Sequence, residues 1–218
     1  MKKLLLKICG MLHPQNIAEV AASQPDYLGF IFFKGSKRYA GDLAPEVLNV
    51  LPESIQRTGV FVNEAAEVVL DLIEKYGLNA VQLHGGESPE YVGLLAQQVK
   101  ARQPDFKIIK AFGIDAAFDF QQLQGYEKKV DYFLFDTQTP DHGGSGKKFD
   151  WTLLEKYTLD VPFFLSGGIG PESAAVLNAI TDPRLFAVDV NSRFELEPGL
   201  KNTPELIEFK TKLSGVKS

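Results

Sequence analysis

The sequence predicts an α/β protein built on a parallel β-sheet. Eight short apolar runs are spaced along the chain, at residues 4–9, 27–33, 58–62, 80–84, 107–112, 132–137, 162–166 and 185–190. They are rich in β-branched and aromatic residues and show little strict alternation, which is typical of parallel strands covered on both faces. Segments with helix-start chemistry separate the runs, and strands that alternate with helices favour a parallel sheet.

The helix signals between the strands differ in strength. Two segments offer a hydroxyl cap, a proline at the first helical position and an early carboxylate, namely Ser88-Pro89-Glu90 and Thr203-Pro204-Glu205. Weaker starts are Gly170-Pro171-Glu172 and Ala44-Pro45-Glu46. Helical spacing of apolar residues is clearest within residues 68–73 and 206–213. The segment around residues 118–123, after the fifth strand, carries the weakest helical pattern.

The length of the chain restricts its architecture. Eight strand–helix units in 218 residues take about 27 residues each, which is compact for a (β/α)8 barrel of ~250 residues. A doubly wound open sheet has the same local pattern, so periodicity alone leaves both architectures open. No linker, low-complexity tract or short repeat divides the chain. We therefore expect residues 1–218 to form a single domain.

Composition argues against several classes of function. The chain is 44% hydrophobic and 23% charged, as is usual for globular proteins. A net charge of −5 and a pI near 5.3 argue against a nucleic-acid surface. No run approaches the ~20 apolar residues of a membrane span, and Lys7 interrupts the first apolar segment too early for a signal peptide. The single cysteine, Cys9, cannot form an internal disulfide, so we expect a cytoplasmic protein.

Residues with catalytic potential collect where the predicted strands end. Cys9 ends the first strand and Asp136 lies near the end of the sixth. Arg38 and His84 follow the second and fourth strands. If the sheet closes into a barrel, catalytic residues should lie at the C-terminal strand ends or in the loops that follow them. The thiol and the carboxylate would then face one pocket as a base and an acid.

Two loops indicate a phosphate site. Ser166-Gly167-Gly168-Ile169-Gly170 follows the seventh strand and leads into a helix, so backbone N–H groups can approach an anion closely. Asn191 and Ser192, after the eighth strand, add donors at the second loop of the usual barrel phosphate site. A further glycine-rich loop containing Gly144 follows the sixth strand. The alternative is that these glycines only make tight turns.

An ordered series of short segments gives a more specific signal than any one of them. The segments are Lys7-Ile8-Cys9-Gly10, Gly29-Phe30-Ile31-Phe32, Ser36-Lys37-Arg38-Tyr39, Gly59-Val60-Phe61-Val62-Asn63, Val81-Gln82-Leu83-His84-Gly85, Phe135-Asp136-Thr137, Gly143-Gly144-Ser145-Gly146-Lys147, Phe149-Asp150-Trp151, Ser166-Gly167-Gly168, Val188-Asp189-Val190 and Glu197-Pro198-Gly199. Along nearly its whole length the chain thus resembles the phosphoribosylanthranilate isomerase family of tryptophan biosynthesis.

The resemblance implies a closed (β/α)8 TIM barrel and a phosphorylated aminosugar substrate. The implied reaction is the Amadori rearrangement of N-(5'-phosphoribosyl)anthranilate to 1-(2-carboxyphenylamino)-1-deoxy-D-ribulose 5-phosphate. The family's general base is matched by Cys9 and its general acid by Asp136. Arg38 is expected near the anthranilate end of the substrate, and His84 in the pocket wall. The expected phosphate-binding residues are Gly144, Gly167, Gly168, Asn191 and Ser192.

The residue types suit this chemistry. Opening the ribose ring requires a proton on the ring oxygen, which a carboxylic acid of raised pKa can supply. A thiolate can then remove the acidified C2 proton. Lys7 shares a strand face with Cys9 and would favour the thiolate. No electrons or groups leave the molecule, so we expect neither a cofactor nor a metal.

Other interpretations stay open. A related lyase or synthase would use Lys110 as a Schiff-base lysine, and a non-catalytic barrel would only bind a phosphate ligand. After the eighth strand, Arg193 and Phe194 replace a glycine and a smaller apolar residue of the family pattern. Loss of that glycine puts the loop geometry in question, although Arg193 could instead contact the phosphate. Monomer and homodimer are both compatible with the sequence.

Overall fold

Eight parallel strands close into a barrel. The computed structural model describes residues 4–137 and 150–215. The strands are β1 (Leu5–Ile8), β2 (Tyr27–Ile31), β3 (Gln56–Phe61), β4 (Ala80–Leu83), β5 (Lys107–Ile114), β6 (Tyr132–Thr137), β7 (Phe163–Leu165) and β8 (Leu185–Val190). Because β1 pairs with both β2 and β8, the barrel has no open edge. This confirms the TIM-barrel prediction and excludes the doubly wound sheet.

Both faces of every strand are covered, which explains the weak alternation in the sequence. Side chains pointing into the barrel include a small apolar cluster of Tyr27, Ile109, Ala111, Leu134, Phe164 and Ala187. Their strand neighbours, such as Phe133 and Phe135, point outward into a larger core shared with the helices. The small apolar cluster does not extend to the C-terminal ends of the strands, so inward-pointing positions there can carry polar side chains.

The outer layer is uneven. Its α-helices are α1 (Pro14–Ala22), α2 (Glu46–Asn49), α3 (Ala66–Tyr76), α4 (Pro89–Arg102), α5 (Ala174–Asn178) and α6 (Thr203–Leu213). After β5 and β6 the described chain forms only the 3-10 helices Phe120–Tyr126 and Trp151–Lys156. The weak pattern around residues 118–123 thus belongs to a 3-10 helix. In the ranges 4–137 and 150–215, no helix is long and apolar enough to cross a membrane.

The two strongest helix-start predictions have different outcomes. Ser88 caps α4, since its side chain accepts a hydrogen bond from the Tyr91 N–H at 3.3 Å. At α6 the expected cap, Thr203, is already the first helical residue. The side chain of Asn202 caps this helix instead, accepting from the Glu205 N–H at 3.4 Å. Asparagine fills the same role as threonine, so the prediction was wrong by one residue.

A hairpin that the sequence analysis did not predict lies between β8 and α6. Its strands, β9 (Glu195–Glu197) and β10 (Leu200–Lys201), are antiparallel and very short. Gly199 forms the turn with a φ of +87°, in the left-handed region that glycine tolerates best. With three and two residues, these strands are too short to leave a readable alternation. They nevertheless place two charged side chains beside the barrel mouth.

Candidate active site

Cys9 and Asp136 lie at the same mouth of the barrel. Cys9 directly follows β1, and Asp136 is the penultimate residue of β6. In a parallel barrel all C-terminal strand ends meet at one rim. The charges of Lys7 and Asp189 influence the pKa of both the Cys9 thiol and the Asp136 carboxyl. The two groups therefore face one barrel mouth, the pocket of the candidate site, although β1 and β6 are not adjacent strands.

A buried ion pair forms the floor of this pocket. Lys7 and Asp189 are register partners on β1 and β8, and Lys7 Nζ donates to Asp189 Oδ1 at 2.8 Å. Burial lowers the pKa of the Lys7 ammonium, but Asp189 and Cys9 outweigh that effect and raise it overall. Lys7 therefore stays charged. A charged pair this deep is stable only because each partner neutralises the other.

Burial dominates the acidity of Cys9. It raises the pKa of the thiol above its ordinary value, and the charge of Asp189 acts in the same direction. Lys7 and Lys201 lower the pKa of Cys9 but do not cancel the effect of burial. Lys7 thus acts in the direction expected from the sequence. At neutral pH the free protein holds Cys9 mainly as a thiol.

Asp136 has the same tendency toward its neutral form. Burial raises the pKa of its carboxyl group to about 6, and the charge of Asp189 adds to the rise. The Thr137 N–H donates to Asp136 Oδ1 at 2.8 Å and, with Lys7 and Ser166, keeps the pKa from rising further. A substantial fraction of the carboxyl is therefore protonated just below neutral pH, as proton donation requires.

His84 lies directly beside Asp136. It follows β4, and its Nε2 is 3.8 Å from Asp136 Oδ2. On the other side of the ring, the Gln82 amide nitrogen is 3.1 Å from His84 Nδ1. Donation from the amide places the ring proton on Nε2, facing the carboxyl. His84 is thus positioned to orient Asp136 or a substrate hydroxyl.

Arg38 packs against Gly10, the residue that follows Cys9. Its Nε donates to Glu195 Oε1 at 2.8 Å, and its Nη2 donates to Oε2 in a two-pronged ion pair. A Cβ added to Gly10 would come within 2.6 Å of Arg38 Cδ and 2.7 Å of Asn191 Oδ1. Gly10, with a φ of +75°, therefore lets both side chains pack against the residue that follows Cys9.

The loops after β7 and β8 meet at this rim. Gly167 and Gly168 have φ values of +87° and +65°. A Cβ on Gly167 would lie 2.2 Å from Thr137 Oγ1 and 3.1 Å from Asp136 Oδ1, so this loop passes closely beside the acid. Asn191 and Ser192 follow β8 directly. The glycines thus make a tight turn and also permit a close approach. Gly144 lies outside the described residues.

Comparison with known proteins decides which family has this site. A sequence model of the family described as N-(5'-phosphoribosyl)anthranilate (PRA) isomerase matches residues 6–212. The chain belongs to this family. It is accordingly an isomerase of tryptophan biosynthesis. The N-(5'-phosphoribosyl)anthranilate isomerase of Parabacteroides distasonis is 43% identical over 208 residues, which cover 94% of this chain and 91% of that protein.

Solved structures of PRA isomerases share the fold over nearly the full chain. The enzyme from Thermotoga maritima superposes with a TM-score of 0.81 at 37% identity, covering 98% of this chain and 100% of that one. A PRA isomerase in complex with reduced 1-(o-carboxyphenylamino)-1-deoxyribulose 5-phosphate gives a TM-score of 0.77 at 34% identity with the same coverage. The family is therefore known in a state that holds a sugar phosphate.

The departure from the PRA isomerase pattern after β8 is accommodated without a positive φ. Residues Ser192–Phe194 form a 3-10 turn, and none of them has a positive φ. Phe194 is fully buried, with its ring 4.9 Å from that of Phe209 in α6. Arg193 is half exposed and pairs with Glu172 at 3.3 Å, close to Gly170. Relative to the family pattern, Phe194 thus adds a side chain to the core, and Arg193 adds a positive charge at the rim of the barrel.

Lys110 does not fit the Schiff-base interpretation. Its neighbours Ile109 and Ala111 face the barrel interior, so Lys110 points the other way, into the helix layer. Nζ donates to the carbonyls of Gly85 and Ala111, each at 2.9 Å, and lies 3.2 Å from Glu87. Burial lowers its pKa, as a nucleophilic lysine requires, but the amine does not face the pocket. Lys110 instead holds the loop after β4.

Sequence reasoning missed several residues of the site. Asp189 was noted at the end of its strand without a role, and a charged residue within an apolar run was the available signal. Gln82 lies two residues before His84, so both side chains point to the same face of the strand, and this spacing could have identified Gln82. Glu195 and Lys201 lie on the unpredicted hairpin. For the part of the chain that the structure describes, no three His, Cys, Asp or Glu side chains cluster as metal ligands do.

We expect Lys7→Met to raise the pKa of Cys9. The substitution removes a nearby positive charge and leaves the buried Asp189 carboxylate unpaired, and both changes disfavour the thiolate. The measurement is the rate of Cys9 alkylation by iodoacetamide as a function of pH. The double variant Lys7→Met/Asp189→Asn is the control, because it removes both charges and should shift the pKa less. An unchanged profile in Lys7→Met would show that Lys7 does not tune Cys9.

Proposed function

We propose that this site catalyses the Amadori rearrangement of N-(5'-phosphoribosyl)anthranilate, with Cys9 as general base and Asp136 as general acid. One observation carries the proposal. A buried thiol and a carboxyl group with a pKa of about 6 face one barrel mouth, beside the loops after β7 and β8. An aldose-to-ketose rearrangement needs one group that donates a proton and one that accepts it, and both are present.

The acid opens the ribose ring. The Asp136 carboxyl donates its proton to the ring oxygen while the C1–O bond breaks, and the anthranilate nitrogen forms a double bond to C1. The resulting carboxylate keeps the hydrogen bond from the Thr137 N–H at 2.8 Å and the attraction of Lys7. Burial stabilises the neutral carboxylic acid of Asp136 before proton transfer, and these interactions stabilise its carboxylate after the transfer. His84, 3.8 Å away, orients the acid or the freed hydroxyl.

The base then acts at C2. The iminium at C1 withdraws electrons, so the Cys9 thiolate removes the C2 proton, the C2–H electron pair forms the C1–C2 double bond, and the C1–N π pair returns to the anthranilate nitrogen. Tautomerisation of the resulting enol returns a proton to C1 and gives the ketose. Every atom of the substrate is retained in the product. Lys7 stabilises the thiolate, and its bond to Asp189 keeps its ammonium in place.

The two ends of the substrate carry negative charge, and the site has donors for both. Arg38 lies beside Cys9 and can pair with the anthranilate carboxylate through its free guanidinium edge. Gly167 and Gly168 offer backbone N–H groups for the phosphate, with Ser192 on the neighbouring loop after β8. Asn191 accepts a hydrogen bond from Lys201 with its Oδ1, which leaves its amide NH2 as a donor. Gly144 stays a prediction.

A turnover assay on the purified protein tests the proposal. Phosphoribosylanthranilate is fluorescent, so its consumption can be followed directly in a buffer that contains neither metal ion nor cofactor. We expect the fluorescence to fall at a rate proportional to protein concentration, with the aminoketose as product. An otherwise identical sample without protein controls for spontaneous decay. Binding of the substrate without turnover would instead favour the non-catalytic barrel.

A further inference from the structure

A buried lysine on the hairpin takes no part in the steps above. Lys201 ends β10, and its side chain is fully buried. Leu196 on the partner strand is 70% exposed, so the hairpin lies at the protein surface and only this lysine-bearing side packs inward. An ammonium group removed from water costs several kcal/mol unless partners compensate. Its contacts therefore indicate what it does.

Lys201 joins two residues of the barrel mouth. Its Nζ donates to Asn191 Oδ1 and to Glu195 Oε1, each at 2.7 Å. The same Glu195 carboxylate accepts the two-pronged bond from Arg38. Lys201 and Arg38 thus hold one carboxylate between them. Asn191 and Arg38, the two side chains that pack against Gly10, are fixed through this one ammonium.

The position of Lys201 is set from outside the pocket. Its backbone N–H donates to Asn16 Oδ1 at 2.8 Å, and its carbonyl accepts from Asn16 Nδ2 at 3.0 Å. Asn16 lies on α1, and Phe194 ties the start of the hairpin to α6 through Phe209. Two outer helices therefore hold the hairpin against the mouth. The charge of Lys201 reaches Cys9, where it favours the thiolate.

We propose that Lys201 is a positioning residue for the isomerase reaction. It fixes Asn191 and the Glu195–Arg38 pair around the substrate and places a positive charge near Cys9. The kinetic consequence rests on the proposed function, whereas the effect on Cys9 can be measured without substrate. The two ideas can therefore fail separately.

The first test is alkylation of Cys9 in Lys201→Met. Loss of the ammonium should shift the alkylation profile to higher pH and slow the reaction at pH 7.5 by about three- to tenfold, because the thiolate fraction falls. Lys212→Met is the matched control. Lys212 lies on α6, is 54% exposed and pairs with Glu208 one helical turn away. Its removal should leave the profile unchanged.

Glu195→Gln tests the same link through the partner of Lys201. Burial lowers the pKa of Lys201 and Glu195 opposes this, so without Glu195 the lysine loses its proton more readily and the Cys9 profile should move to higher pH, as in Lys201→Met. Simple loosening of the hairpin would instead expose the thiol to water and lower its pKa, because burial is what raises it. In turnover, Glu195→Gln should raise KM because Arg38 loses its partner, and Lys201→Met should lower kcat/KM by about 10²-fold.

A double variant covers the case in which Lys201→Met does not fold. Glu195→Gln/Lys201→Met leaves neither charge buried alone, and it should alkylate with a higher Cys9 pKa than wild type. A profile of this double variant, or of folded Lys201→Met, that coincides with the wild-type profile would overturn the inference. If the profiles shift as expected but wild type does not turn over phosphoribosylanthranilate, the proposed function fails and the link between Lys201 and Cys9 stands.

Discussion

Cys9→Ala should lower kcat by about 10²- to 10⁴-fold while KM changes little. The thiol is the proposed base and makes no bond that the substrate needs for affinity. It is buried, and its Sγ lies only 2.8 Å from where a Cβ on Gly29 would be. Removing one sulfur atom leaves a small cavity, so the folded state should lose only about 1 kcal/mol. Steady-state kinetics with phosphoribosylanthranilate and thermal unfolding of the same sample measure the two effects.

Cys9→Ser is the control that separates acidity from shape. Serine nearly preserves the size and the hydrogen-bonding capacity of the side chain, but its hydroxyl does not ionise in the range where a thiol does. We expect it to be as inactive as Cys9→Ala. If Cys9→Ser retained more than about a tenth of wild-type kcat, proton abstraction would belong to another group of the mouth. His84 and Asp189 would then be the residues to substitute next.

The fold could be predicted because each strand has two covered faces. Runs such as Phe133–Phe135 are apolar throughout, since Leu134 faces the interior while its neighbours face the helices. All eight strands were therefore placed within two residues of their observed ends. Barrel closure, in contrast, depends on the pairing of β1 with β8, which no local pattern encodes. The resemblance to a family supplied that part of the prediction.

The site was predicted less completely than the fold, for reasons of burial. Cys9 and Asp136 became candidates through their positions at predicted strand ends, and Lys7 because it lies two residues before Cys9 and points to the same strand face. No local pattern indicates that Lys201 is buried, because its hairpin is too short to show one. Nor could the sequence show that burial raises the pKa of Cys9 more than Lys7 lowers it. Such a balance depends on distances between residues that are far apart in the chain.

Asp136→Asn should abolish the proton donor and change the pH dependence of what remains. The side chain keeps its shape, and the amide oxygen can still accept from the Thr137 N–H, so folding should be little affected. We expect kcat at neutral pH to fall by about 10²- to 10⁴-fold. His84→Gln is the matched control, because it alters the neighbour at 3.8 Å and leaves the acid in place. It should reduce kcat much less.

The pH profile of kcat/KM makes the assignment of the acid specific. The active form needs a protonated Asp136, whose pKa is about 6, and a Cys9 thiolate, whose pKa is raised. Below pH 6 the rate should climb with the thiolate fraction. Above pH 6 the gain in thiolate is offset by the loss of carboxylic acid, so wild type should stay level until Cys9 titrates and then decline.

Asp136→Asn lacks the carboxyl, so its residual kcat/KM should rise without a break at pH 6 until Cys9 titrates. The acid would then be identified by the disappearance of one titration rather than by lost activity alone. A break near pH 6 that persists in this variant would show that another group is the donor, and His84 is the nearest candidate. If the break near pH 6 disappeared in His84→Gln but remained in Asp136→Asn, His84 would be the proton donor and Asp136 the residue that orients it.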